Sequence, residues 1–94
     1  GRYADAYTIR GMAERSLGLA GWATRSFRTA LRLDPARDWP YLEMASLLVA
    51  EQRGLEAERI LKRYLKINPA GARAKARLLA LEKARGELPA AGSP

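Results

Sequence analysis

Catalysis needs nucleophiles, proton-transfer groups or metal ligands, and this chain of 94 residues is short of them. It contains no cysteine and no histidine. That removes disulfides, thiolate nucleophiles, Cys/His zinc sites and every histidine-based mechanism. What remains is ten carboxylates against seventeen lysines and arginines, a net charge of +7. Glu56 and Glu58 lie close in sequence, but residues two apart on a helix point to different sides and cannot share a substrate atom. No Gly-rich phosphate loop, metal-ligand spacing or nucleophile–base pair is present. The expectation is a protein that is not an enzyme, with no catalytic residue, no cofactor and no metal.

The basic residues are spaced for binding. Arg25, Arg28 and Arg32 fall at i, i+3 and i+7, with Trp22 near them, and Arg73 and Arg77 fall at i and i+4. Each set lies on one side of a helix. A basic helical face is ordinarily just solvated, and thirteen arginines against four lysines suit a GC-rich coding background. The sharper reading is attraction to an acidic partner, an anionic membrane surface or nucleic acid. A tryptophan beside an arginine stripe marks a contact with protein or an anionic surface. Nucleic acid is disfavoured, because the aromatic residues are few and not interleaved with the basic ones.

The elements that must position these residues come from one phrase used twice. Ala23, Phe27, Ala30, Leu31 and Leu33 precede Asp34-Pro35, and Ala57, Leu61, Tyr64, Leu65 and Ile67 precede Asn68-Pro69. Ala23 and Ala57, Phe27 and Leu61, and Pro35 and Pro69 are each 34 residues apart. Apolar residues at i, i+4, i+7 and i+8 line one helix face, and each proline ends its helix at the residue before it. The pattern predicts helices over about 5–17, 22–33, 38–52, 55–67 and 72–85. Asp38 is expected to cap the third, with Pro40 tolerated in its first turn. Arg10 and Glu14, at i and i+4, are expected to pair on the first. The third is apolar nearly all round, as a helix in the middle of a stack would be.

A fixed period of this length signals stacked supersecondary units. Tyr7, Gly11, Ala23, Phe27, Ala30 and Pro35, with Tyr41, Met44, Ala45, Leu48, Ala57, Leu61 and Pro69 in the second copy, resemble the tetratricopeptide repeat pattern W-x2-L-G-x2-Y…A-x3-F…P. Leu78, Leu79 and Gly86 continue the register. The resemblance implies an all-α, antiparallel helix-turn-helix solenoid of about five helices over residues 1–86. Its repeats would be about 4–37 and 38–71, with 72–85 as a third first-helix or a capping helix, and 87–94 as a flexible tail.

The resemblance also implies that the first helix of each repeat lines a groove. Its positions here are Asp5, Thr8, Ile9 and Met12; then Trp39, Leu42, Glu43, Ser46 and Val49; then Arg73, Ala76, Arg77, Ala80 and Lys83. One subgroup of the family grips a C-terminal carboxylate. Arg73 and Arg77 match its basic positions, but Thr8, Met12 and Glu43 replace its lysine and asparagines, so that ligand is rejected. The expected partner-binding residues are Ile9, Met12, Trp39, Leu42, Val49, Arg73 and Arg77, with Trp22, Arg25, Arg28 and Arg32 as the alternative on the outer face. The expected function is a protein–protein interaction scaffold that takes a segment with an apolar anchor and an acidic flank. The resemblance suggests a larger assembly such as a bacterial secretion or exopolysaccharide complex. The alternatives are a module for nucleic acid or an anionic membrane, and a structural spacer or self-association domain. Starting at Gly1 without a methionine, the chain reads as a piece of a longer protein. The expected compartment is the cytoplasm, with membrane proximity through flanking segments as the alternative.

Overall fold

The computed structural model describes residues 2–86 as five α-helices: α1 (Arg2–Ser16), α2 (Ala20–Leu33), α3 (Asp38–Ala50), α4 (Gly54–Ile67) and α5 (Ala72–Ala84). The expected tail, 87–94, lies outside the described residues, among which there is no strand. Successive helices pack antiparallel. The chain is all-α, as expected, and no helix among the described residues is long and apolar enough to cross a membrane.

Two local expectations fail. The first helix begins at Arg2, not near Asp5, so Asp5 sits in its first turn. Asp38 is the first residue of α3 and not its cap; that place falls to Arg37, in an extended conformation with no side-chain cap bond. Asp38 still favours the helix there, because a carboxylate in the first turn complements the positive end of the macrodipole.

The ends of the helices recur at a spacing of 34. α1, α3 and α5 stop at Ser16, Ala50 and Ala84. Two residues beyond each stop stands a residue with positive φ: Gly18 (78°), Gln52 (64°) and Gly86 (73°). The same bond accompanies each, at 3.0 Å: Gly18 N–H to Arg15 O, Gln52 N–H to Val49 O, and Gly86 N–H to Lys83 O. The next amides, of Leu19 and Arg53, reach back to Glu14 O and Leu48 O at 2.9 and 2.8 Å. This left-handed ending satisfies carbonyls that the helix would leave bare. α2 and α4 end alike, with Asp34 N–H on Ala30 O and Asn68 N–H on Tyr64 O, each just before a proline.

Packing follows from which helix touches which. α3 touches all four others; α2 lies against α1 and α3, and α4 against α3 and α5. The backbones of α2 and α4 do not approach each other closely. The result is two layers, α1/α3/α5 and α2/α4, in a slab whose Cα extents are 47 × 28 × 14 Å. Between the layers, Ala23, Phe27, Ala57 and Leu61 are fully buried (0 % exposed). Burial of a side chain of the Phe27 or Leu61 kind contributes roughly 1.5–3 kcal/mol. Tyr41 and Tyr64 meet with ring centroids 5.0 Å apart. Their hydroxyls are bonded too: Tyr41 O–H donates to Pro35 O (2.9 Å) and Asn68 Nδ2 donates to the Tyr64 oxygen (3.0 Å).

Close approach of α1 to α2 depends on Gly11. A Cβ there would lie 2.5 Å from Phe27 Cε1, and Phe27 is fully enclosed. Thirty-four residues on stands Ala45, also buried; thirty-four further stands Leu79, 55 % exposed. α5 lies against α4 and α3 and fully buries only Ala74, with Leu78 and Leu81 partly buried against the core. Polar links add to this hold. Arg85 engages Glu58 with two guanidinium nitrogens, one at 2.7 Å, and the Lys62–Glu82 pair adds a 4.0 Å contact.

Candidate functional site

On α3, Trp39, Leu42, Glu43, Ser46 and Val49 project from one side, and Met44 and Leu48 from the other, by the 100° rotation per residue of an α-helix. The two sides serve different surfaces.

The α1/α3/α5 surface carries the groove residues expected from the sequence. Ile9 is 57 % exposed, Val49 is exposed, and Arg73 and Arg77 are both exposed on α5. Met12 is half-buried against the core. Leu42 is placed otherwise: it is 7 % exposed and belongs to the core cluster. Thr8 is fully buried, its hydroxyl donating to Ala4 O at 2.8 Å. Trp39 is half-buried under the Arg37 guanidinium, 5.8 Å from the ring centroid. Arg37 is in turn fixed by two bonds to Asp5 (2.8 and 3.0 Å), a bidentate carboxylate grip. The Asp5 contact, with desolvation working against it, leaves the Arg37 pKa raised.

Much of this surface satisfies itself. Arg15 pairs with Glu43 across α1 and α3 (3.3 Å), and Arg77 Nη1 donates to Ser46 Oγ across α5 and α3 (2.8 Å). At the α1 edge, Glu14 takes both Arg10 (3.3 Å) and the Ser26 hydroxyl of α2. The expected Arg10–Glu14 pair is therefore formed, and it helps tie α1 to α2. Among the described residues, the apolar Ile9 and Val49, the open part of Trp39, and Arg73 are left for a ligand.

The other surface holds the α2/α4 gap, which α3 floors. One depression of about 300 Å³ is lined by Arg28, Leu31, Arg32, Met44, Ile60 and Arg63. A second, of about 150 Å³, shares Arg28, Met44 and Ile60 with it and adds Thr24, Leu48, Arg53, Glu56 and Arg59. Leu31, Met44 and Leu48 are buried beneath, and Ile60 is partly open. Glu56 is the one carboxylate of the lining. Arg53 holds it with two bonds (2.6 and 2.8 Å), keeping it below its ordinary pKa. Among the described residues, Arg28, Arg59 and Arg63 have no carboxylate within 4.0 Å, and Arg32 reaches only the Thr29 hydroxyl at 3.4 Å.

The expected outer-face set is thus divided. Arg28 and Arg32 face the gap. Trp22, 52 % exposed, and Arg25, whose guanidinium lies 5.3 Å from the indole centroid, line a separate shallow depression with Gly21. Sequence reasoning missed the α4 side of the gap, Arg59, Arg63 and Ile60. The signal was present, since Arg59 and Arg63 are four apart and share a face. Their convergence with α2 depends on how α3 spaces two helices that are not adjacent in sequence.

Among the described residues, no three acidic side chains lie close enough to hold a metal ion. Comparison with protein-family models, curated proteins and solved structures finds no match for the chain.

Proposed function

We propose that this chain is a tetratricopeptide-type helical repeat that binds a protein segment as a scaffold within a larger assembly. The observation that carries the reading is the spacing of 34 residues in its geometry, with positive φ at positions 18, 52 and 86 and α1, α3 and α5 in one layer. Repeats of this length lay helix pairs side by side, and such stacks present a broad face rather than an enclosed pocket. A partner segment crossing α1, α3 and α5 meets Ile9, Trp39, Val49 and Arg73, with Arg77 beside them. An apolar anchor would settle on the open part of Trp39, and an acidic flank on Arg73.

The test is selection of peptides from a random display library on the immobilised chain, followed by calorimetry. Selected peptides should pair an aliphatic or aromatic residue with Asp or Glu. Trp39→Ala should weaken them by about 2 kcal/mol, the range of an interface hot spot. Arg73→Glu should weaken them less as salt is added. Circular dichroism should remain unchanged. If no peptide is selected, the scaffold reading fails; if Trp39→Ala and Arg73→Glu bind normally, this face is not the site.

A further inference from the structure

We infer that the α2/α4 gap is a second binding site, and that its ligand is an acidic protein segment bearing one apolar side chain. The inference rests on the scaffold reading but concerns the opposite side of α3.

An arginine on a helix surface is usually solvated, and charge alone says little. Three features set this group apart. First, it is gathered: Arg28 and Arg32 on α2 face Arg59 and Arg63 on α4 across a gap that is open among the described residues. Second, it is under-compensated. Elsewhere the chain sets carboxylates directly on neighbouring arginines: Glu14 on Arg10, Glu43 on Arg15, Asp5 on Arg37 and Glu58 on Arg85. In the gap, Glu56 is bonded to Arg53 and also feels Arg59 and Arg28, so one carboxylate serves three arginines, and among the described residues Arg28, Arg32, Arg59 and Arg63 have no carboxylate within 4.0 Å. Like charges held around a cleft repel one another, so a bound anion relieves a cost already present in the free protein. Third, the floor is apolar. Ile60 is partly open above Leu31 and Met44, and the arginine stems add methylenes to the walls.

That combination selects the ligand. A single phosphate would use the charges and leave Ile60 wet. An apolar peptide would use Ile60 and leave the arginines unpaired. A segment with a leucine-, methionine- or phenylalanine-sized side chain flanked by Asp or Glu uses both. Carboxylates suit these walls because the guanidinium fork donates to them two bonds at a time. A segment of this composition is also held by a ring of walls around one central anchor, the arrangement that concentrates binding energy in an interface.

The test is display selection on the full chain from a library of acidic 15-residue peptides, each with one randomised central position. Binding is then measured on Arg28→Glu/Arg63→Glu, on the neutral pair Arg28→Gln/Arg63→Gln, and on Trp39→Ala. Melting curves check that each variant folds. Selected peptides should carry an apolar central residue, and replacing it with Gly should weaken binding at least tenfold. The Glu pair should abolish binding, the Gln pair should weaken it about tenfold, and Trp39→Ala should leave it unchanged. Methyl resonances of Met44 and Ile60 should shift on titration. The inference is overturned if no peptide is selected or if the central residue makes no difference. It is overturned too if single-stranded RNA or phosphatidylserine vesicles bind through these arginines while the peptides do not. Peptides that lose binding on Trp39→Ala alone would likewise sink the second site while leaving the scaffold reading intact. Loss on the Arg28/Arg63 pairs with Trp39→Ala unchanged is the expected result, and the α1/α3/α5 face is judged by the peptides selected without an acidic bias.

Discussion

Gly11 shows how one missing methyl group sets the distance between two helices. Helix propensity alone favours alanine over glycine by about 1 kcal/mol. Here the added Cβ would lie 2.5 Å from the ring of Phe27, which cannot step aside because it is fully buried. Overpacking of this kind costs roughly 1–3 kcal/mol. Gly11→Ala should therefore lower the denaturant midpoint, and Phe27→Leu should restore part of the loss in the double variant. A raised midpoint in the single variant would mean that α1 stands further from α2. Gln52 is the opposite case. It holds a left-handed φ of 64° where its counterparts are Gly18 and Gly86. A side chain there costs about 1–2 kcal/mol, part of which glycine's greater unfolded freedom cancels. Gln52→Gly should stabilise by about 0.5–1 kcal/mol in urea melts; a loss would show that the Gln52 side chain contributes contacts the helix ending does not need.

Glu56 makes a prediction about pH. The Arg53 guanidinium bonded to it keeps its carboxyl below the ordinary value of 4.5. A depressed folded value means that the contribution is complete above the unfolded value and disappears as pH falls through the folded one. An NMR titration should place the Glu56 midpoint below 4.5, and Arg53→Ala should move it upward. An unmoved midpoint would show that Arg53 is not its main partner. The effect on stability should be small, because both side chains are nearly half exposed and water screens the pair.

At the scale of elements, the parts legible in the sequence were those with punctuation. Prolines at 35 and 69 end α2 and α4, and glycines at 18 and 54 mark where the paired helices separate, so four of the five helices both begin and end within two residues of expectation. Ala23, Phe27, Ala30 and Leu31 were readable as an inward face because α2 is apolar on one side only, and all four are buried. α3 was not readable in this way. It is apolar all round, so periodicity cannot say which leucine faces out, and Leu42 turned out to be core. The α2/α4 gap was legible only by half, because one helix's arginines say nothing about what stands opposite. α5 differs in kind from the others. It buries one residue and relies on the Arg85 grip on Glu58, a carboxylate only 3 % exposed. Removing Arg85 should cost about 1.5–3 kcal/mol, the worth of hydrogen bonds to a charged group. Hydrogen exchange should show α5 amides opening before those of α3, and Arg85→Ala should speed α5 exchange well ahead of α3. Equal protection in the two helices would contradict weak docking of α5.

At the scale of the whole molecule, among the described residues no contact joins α1 or α2 to α5. Each helix touches only its neighbour or the next one along. A fold of this kind closes only short loops as it forms, and domains rich in local contacts fold in microseconds to milliseconds. The same topology decides how it responds to force. Nothing ties the first helix to the last, so tension applied at the two ends has no long-range clasp to break. Pulled in an optical trap, the chain should lengthen in steps, α5 peeling away first and the α1/α2 hairpin yielding separately, at forces far below those that break a sheet in shear. A scaffold built like this is a soft spring.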